Sequence, residues 1–237
     1  MGEEIKMKEL LGKYGICYFQ DCLEGMKSIP DQSIEMCFTD PPYNKDYKGT
    51  QYIKDRNCYF DKLSPEEYAQ LCKDWFKEAQ RICQYILFSP GDGNWWNYPP
   101  TTSYVTHFKP DGQGCCKQSY LKKTELFLIY GELPKKFKWD ILKIYINMFQ
   151  DQMTFTHPCP KPIQFWEYIL SYLQPKSVLD PFLGSGTTSQ ACEKLGIKWI
   201  GFEKKEDFAC DIQTRIQLGI KSHISYNKQK NKQLTLI

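Results

Sequence analysis

Two clusters in this chain of 237 residues have the residue types and spacing to do chemistry. The first is Thr39-Asp40-Pro41-Pro42-Tyr43-Asn44. The apolar Met36-Cys37-Phe38 before it reads as the end of a buried strand. Two consecutive prolines forbid both helix and ladder, so the chain must leave the sheet in a stiff, extended turn. That turn carries a carboxylate, a proline carbonyl and an aromatic ring to a strand's C-terminal edge, where open α/β sheets bind ligands. Alone, the same residues also read as an ordinary surface turn. The second cluster is Asp180-Pro181-Phe182-Leu183-Gly184-Ser185-Gly186-Thr187-Thr188, between a strand and a helix. Glycines at such a junction let backbone approach a ligand at the helix N-terminus, although a Gly-x-Gly can also simply pack a helix on a sheet. The lysine of a triphosphate loop is missing. An acid, Glu203, closes the next strand about twenty residues on, where a ribose diol binds. The expected ligand is a nucleoside without a polyphosphate, or a dinucleotide.

The elements that must position these clusters are legible in order. Ile16–Gln20 is an expected strand ending in Asp21, and Cys22–Ile29 a short helix broken by Pro30. Ile34–Thr39 is the strand that delivers the first cluster. Residues 45–62 are polar and aperiodic and read as a loop. Ser64-Pro65-Glu66-Glu67 is a helix start with cap, N1 proline and capping-box acid. Tyr68, Leu71, Cys72, Trp75, Phe76 and Ala79 continue it at helical spacing. Tyr85–Ser89 and Thr124–Tyr130 are strands, whereas 91–120 reads as irregular and 131–156 leaves strand or helix open. Phe165–Leu173 is an amphipathic helix; Ser177–Asp180 and Trp199–Glu203 are strands around the helix Thr187–Leu195. Asp207–Leu218 is the last expected helix, followed by a basic, frayed tail over 221–237. Strands alternating with helices give a mostly parallel sheet in one domain.

Composition excludes several classes. The net charge of +3 is too mild to indicate nucleic acid by itself. No apolar run approaches the roughly 20 residues that cross a bilayer, so no membrane partner is expected. The first 13 residues lack the apolar core of a signal peptide. The 11 cysteines are odd in number and form no Cys-x-x-Cys, so reduced core cysteines in a cytoplasm fit better than a disulfide frame. The pair Cys115-Cys116 lacks partners at ligand spacing, so no metal site is expected.

Together, Asp-Pro-Pro-Tyr, Asp-Pro-Phe-Leu-Gly-Ser-Gly-Thr-Thr and the strand-end Glu203 resemble the amino-group DNA methyltransferases. The order, with the Asp-Pro-Pro-Tyr cluster first, is similar to the permuted beta group of N6-adenine and N4-cytosine enzymes. His157-Pro158-Cys159-Pro160-Lys161-Pro162 resembles that family's His-Pro-Thr-Gln-Lys-Pro element, with Cys159 and Pro160 replacing threonine and glutamine. The likeness covers roughly 14–44, 64–92, 121–132 and 157–218. It implies a Rossmann-like S-adenosylmethionine-dependent fold, circularly permuted, with a mostly parallel seven-stranded sheet and helices on both faces.

The resemblance also implies roles. Asp180, Phe182, Gly184, Ser185 and Gly186 line the methionine part of the cofactor, and Thr187 and Thr188 offer backbone N–H groups to its carboxylate. Glu203 accepts the ribose hydroxyls, or is a solvated strand-end acid. Asp21 and Cys22 lie near the adenine, with Asp21 as a plain helix cap the competing reading. Asp40 and the Pro41 carbonyl accept from an exocyclic amine, with Pro42 stiffening the turn; Tyr43 stacks on a flipped base or is a packed core ring. Asn44, Lys45 and Lys48, with Lys54 and Arg56, belong to the substrate side, and double-stranded DNA is the partner. The lysines of 122–143 are a DNA face or a solvated one, and 91–120 and 131–156 are candidate target-recognition insertions. Asp rather than Ser at the head of the motif favours adenine N6 over cytosine N4 within the family. A bacterial or phage origin is expected, while a homodimer and a restriction partner stay open.

Overall fold

The computed structural model describes residues 8–45, 62–110, 123–146 and 154–234, with side chains to 223. Nine strands form one sheet: β1 (Glu9–Leu11), β2 (Gly15–Phe19), β3 (Ile34–Thr39), β4 (Cys83–Phe88), β5 (Tyr104–Phe108), β6 (Thr124–Tyr130), β7 (Ile141–Lys143), β8 (Ser177–Asp180) and β9 (Lys198–Glu203). Their order is β1-β2-β9-β8-β3-β4-β6-β5-β7. The strands from β2 to β4 run parallel; β1, and β6 against both its neighbours, run antiparallel. Seven strands make the body of the sheet, and the three-residue β1 and β7 extend its two edges.

Helices cover both faces, as strand alternation requires. Met36, Phe38, Tyr85 and Leu87 point to one face. There they meet α3 (Ile163–Leu173), α4 (Thr187–Leu195) and α5 (Ala209–Leu234) through Phe165, Trp166, Ala191 and Ile212. Cys37, Ile86 and Phe88 point to the other, beneath α1 (Cys22–Met26) and α2 (Pro65–Ile82). Ser64 caps α2 with the expected capping box, Ser64 Oγ accepting from Glu67 N–H at 3.2 Å and Glu67 Oε2 from Ser64 N–H at 2.8 Å. Trp75 is the hub of that face, edge-on to Phe88 at 5.1 Å and to Phe182 at 5.5 Å. Truncating it to alanine costs roughly 3–5 kcal/mol of stability.

Three local expectations change. The stretch 91–120 contains β5 and a short 3-10 turn, Trp95–Asn97. A histidine hid the strand's alternation: His107 lies in the core, stacked on Phe165 at 4.4 Å, and burial lowers its pKa to about 4. Within 131–156, β7 settles as a strand parallel to β5. The last helix does not stop at Leu218; α5 continues to Leu234, so most of the expected tail is helical.

The sheet has a topological switch between β8 and β3. The chain leaves β8 through α4 to β9 on one side, and leaves β3 through α2 to β4 on the other. The crevice beyond the C-terminal ends of two such strands is where open α/β sheets bind ligands. Both clusters singled out from sequence end there.

Candidate active site

The register Met36↔Val178 and Cys37↔Leu179 brings the two clusters side by side across 141 residues of sequence. A direct bond joins them: Thr39 Oγ1 donates to Asp180 Oδ1 at 2.6 Å. Asp180 also accepts from Phe182 N–H at 3.0 Å and from Thr188 Oγ1 at 2.5 Å. Thr188 in turn accepts from the indole N–H of Trp166 at 2.9 Å. Asp180 is thus a buried knot holding β3, β8 and the start of α4 together. Burial raises its pKa to about 6.

The Gly-rich turn follows from this knot. Gly184 and Gly186 have φ of +55° and +89°, a region L side chains rarely adopt. A Cβ on Gly186 would meet the Ile212 backbone at 3.1 Å. Gly186 is the N-cap of α4, and among the described residues no side chain caps its first turn, the kind of helix start that suits an anion. Ser185, Thr187 and Thr188 are buried, and Thr187 Oγ1 donates to the carbonyl of Lys161 at 3.1 Å. Phe182 is half-buried beside Trp75.

Glu203 ends β9 within the same crevice. Its carboxylate accepts from Gly184 N–H and Lys205 N–H, both at 2.9 Å, and burial raises its pKa to about 7. Next to it, β2 pairs with β9 in the register Phe19↔Glu203, which places Asp21 and Cys22 at the same sheet edge. Asp21 does cap α1, accepting from Leu23 N–H at 2.9 Å, and also pairs with Lys204 at 3.1 Å. Cys22 is buried, which pushes its thiol up to about 12. His157 adjoins the turn, its Nε2 3.2 Å from where a Gly184 Cβ would sit, and Asp211 accepts from its backbone N–H at 2.7 Å.

The Asp-Pro-Pro-Tyr turn is held rigidly. The Tyr68 hydroxyl donates to the Pro42 carbonyl at 2.9 Å, and Asn94 donates to the Tyr43 carbonyl at 2.9 Å. Among the described residues no donor reaches the Pro41 carbonyl. Asn44 accepts from Leu63 N–H at 2.8 Å and donates to the Leu63 carbonyl at 3.0 Å. Its role in the structure is therefore to join the two chain ends flanking 46–61. Lys45 donates to the Asp92 carbonyl at 2.7 Å. Lys48, Lys54 and Arg56 lie outside the described residues.

Tyr43 is turned inward. Its hydroxyl donates to Asp40 Oδ1 and lies 3.1 Å from Ser89 Oγ. Its ring rests on Gly91, where a Cβ would fall 2.5 Å from Cδ1. Burial and the neighbouring Asp40 hold the phenol well above its ordinary pKa.

Three charged residues complete the site: Lys161, from the His157–Pro162 element but with no role expected of it, and Glu125 and Lys109, which belong to no motif. The Lys161 ammonium sits 2.9 Å from Asp40 Oδ2, 2.7 Å from Glu125 Oε1 and 3.1 Å from the Tyr43 hydroxyl. Lys109 pairs with the other Glu125 oxygen at 3.1 Å. Burial alone would raise the Glu125 carboxyl, but Lys161 and Lys109 outweigh it and hold it well below the usual carboxylate range. Asp40 is raised, chiefly by burial, with Lys161 opposing and Glu125 adding to the rise. Lys161 stands well above the ordinary lysine value, because the two acids outweigh its burial. Glu125 reaches the site because β6 runs antiparallel to β4, so the start of β6 lies beside the end of β4.

The family model described as DNA methylase, of the N6/N4 methyltransferases, matches residues 96–214, half of the chain. The chain belongs to the N6/N4 DNA methylase family. Among curated relatives, the type II methyltransferase M.BamHI of Bacillus amyloliquefaciens is 27% identical over 93% of this chain and 59% of its own length. The chain thus spans well under two thirds of that relative. The type II methyltransferase M.HinfI of Haemophilus influenzae is 25% identical over 83% of the chain and 67% of its own length.

Solved structures carry the same fold as this N6/N4 methylase chain. M1.HpyAVI, solved as a SAM complex, superposes with a TM-score of 0.59 at 19% identity, covering 84% of this chain and 98% of its own. The PvuII DNA methyltransferase, described as cytosine-N4-specific, also gives 0.59, at 17% identity and 86% of each chain. The Rossmann-like methyltransferase fold expected from sequence is therefore present. No described helix is long and apolar enough to cross a membrane.

Proposed function

We propose that this protein is an S-adenosylmethionine-dependent DNA methyltransferase acting on an exocyclic amine, with adenine N6 as its target. One observation carries the reading: the Thr39–Asp180 bond at the β8/β3 switch joins the Asp-Pro-Pro-Tyr turn to the Gly-rich turn. The residues present fit the cofactor. Gly184 and Gly186 keep backbone close, the uncapped first turn of α4 suits a carboxylate, and Glu203 has the acceptors a ribose diol needs. Phe182 and Asp180 border the methionine side; Asp21 and Cys22 border the base. When bound, S-adenosylmethionine supplies a methyl group activated on a sulfonium.

The chain's own contribution is to prepare the amine. An aromatic exocyclic amine is a poor nucleophile because its lone pair is delocalised into the ring. Asp40 and the Pro41 carbonyl accept from its two N–H groups and localise that pair. Tyr68 and Asn94 fix the turn beforehand, so the acceptors are preorganised rather than recruited. The target base must leave the duplex to reach this turn, and the Tyr43 ring forms a wall for it, held by Gly91 behind and Asp40 at its hydroxyl. Proximity of amine and methyl group then supplies much of the rate. Asp40, rather than Ser, at the head of the motif supports adenine within the resembled family, whereas the likeness to a cytosine-N4-specific structure keeps N4 transfer as the second reading.

Methylation of mixed-sequence DNA with labelled cofactor, followed by nucleoside analysis, tests this. The expected product is N6-methyladenine. N4-methylcytosine would overturn the adenine assignment, and no methylated nucleoside would overturn the activity. Asp40→Ala is expected to abolish transfer with cofactor binding retained; loss of both together would refute the division of roles.

A further inference from the structure

We propose that Lys161 is the positioning residue of this site, its side chain fixing the Asp40 carboxylate while its own backbone is fixed from the cofactor side. The proposal rests on the methyl-transfer reading above. A lysine ammonium has three N–H donors. Three acceptors surround this one: Asp40 Oδ2, Glu125 Oε1 and the Tyr43 hydroxyl. They come from the turn after β3 and from β6, so a single side chain ties together the parts that meet the target base.

The backbone end of the same residue belongs to the other half of the site. The Lys161 carbonyl accepts from Thr187 Oγ1 and from Arg215 Nη2, each at 3.1 Å. Thr187 opens α4, immediately after the Gly-rich turn. Arg215 is fully buried on α5, lies over the Phe155 ring at 4.0 Å and donates to Gln190 at 2.8 Å. Pro160 and Pro162 stiffen the backbone on either side of Lys161. Beside the Thr39–Asp180 bond, Lys161 is therefore a second link between the cofactor turn and Asp40, through one residue whose two ends are both anchored.

The carboxylate of Asp40 has about four lone-pair sites. Tyr43 takes one on Oδ1 and Lys161 one on Oδ2, which fixes its plane and leaves acceptor capacity for the amine. The titratable groups around Asp40 are Lys161, Tyr43 and Glu125 within the cluster, Lys109 and His107 beyond Glu125, and Asp180 across Thr39. Burial and Glu125 push the Asp40 carboxyl up, and Lys161 opposes them. Neutralising Lys161 must push the Asp40 pKa up, and neutralising Glu125 must bring it down. Opposite movements from two touching residues are a signature that a purely structural lysine would not give.

The test compares wild type with Lys161→Met, Lys161→Arg and Glu125→Gln, measuring kcat against pH, cofactor affinity by calorimetry, and melting. For Lys161→Met, kcat at pH 7 is expected to fall by about 10²-fold, the usual cost of small misplacement at a reacting centre. The acidic limb of its profile moves to higher pH, while cofactor Kd stays close to wild type. Lys161→Arg keeps the charge and returns the limb toward wild type. Glu125→Gln moves the limb to lower pH. If Lys161→Met fails to fold, the other two profiles decide: a limb near wild type in Lys161→Arg and a limb displaced to lower pH in Glu125→Gln support the role, and an unmoved limb in Glu125→Gln overturns it. An unshifted limb in an active, folded Lys161→Met, or cofactor affinity lost in step with kcat, overturns the positioning role alone. A wild type that transfers no methyl group overturns the methyl-transfer reading and the positioning role with it.

Discussion

Replacing Thr39 by valine removes one hydroxyl and keeps the shape of the side chain, so it isolates the bond between the two halves of the site. That bond is 2.6 Å long, wholly buried, and directed at a carboxylate. Hydrogen bonds to charged groups contribute about 1.5–3 kcal/mol each. Asp180 keeps Phe182 N–H and Thr188, so the loss is one bond of three rather than a stranded acid. The expected destabilisation is about 1.5–3 kcal/mol, or roughly 3–12 °C in Tm for a chain of this size. It must also depend on pH. Burial raises Asp180 to about 6, above its unfolded value, so the native group is protonated at pH 5 and ionised at pH 8. The Thr39 bond favours the ionised form, and losing it raises that pKa further. The variant's native state then binds more protons near pH 6, and its deficit widens as pH rises through that value. Urea melts of wild type, Thr39→Val and Thr39→Ser at pH 5 and pH 8 measure this. Equal losses at both pH values, or a serine variant as unstable as the valine one, would refute the reasoning.

Two other outcomes follow from the same geometry. Glu203 is raised to about 7 by burial, and only its ionised form offers every acceptor to a ribose diol, so cofactor affinity should strengthen from about pH 6 to pH 8 and then level. Calorimetry with Glu203→Gln should show weaker binding and a flat profile; a sloping one would assign the pH dependence elsewhere. Gly91→Ala places a methyl 2.5 Å from the Tyr43 ring in a backbone of φ +73°, so kcat should fall at least tenfold while cofactor Kd holds, and an unchanged kcat would remove Tyr43 from the base wall.

Much of the site was legible because its signals are local. Two prolines dictate a turn wherever they sit, Ser64-Pro65-Glu66-Glu67 starts a helix from its own atoms, and glycines mark left-handed backbone at Gly184 and Gly186. Asp40, Asp180 and Glu203 stood out because each ends an apolar strand. The β5 strand is hard to read because a histidine, His107, occupies an inward position of its alternation, where it stacks on Phe165 and bonds the Ile144 carbonyl.

Other features belong to the fold alone. Glu125 looks like a polar residue in the apolar strand Thr124–Tyr130, and Lys161 belongs to the His157–Pro162 element without a partner that the sequence names. Their meeting depends on β6 entering the sheet antiparallel and on the chain before α3 crossing over the strand ends. That Asp180, expected to line the cofactor, also ties β3 to α4 is likewise visible only in the fold. Residue order specifies turns, caps and periodicity because those arise within a few bonds. Which charges share a desolvated crevice depends on strand order and direction, and only the folded sheet brings the partners of Asp40 within 3 Å.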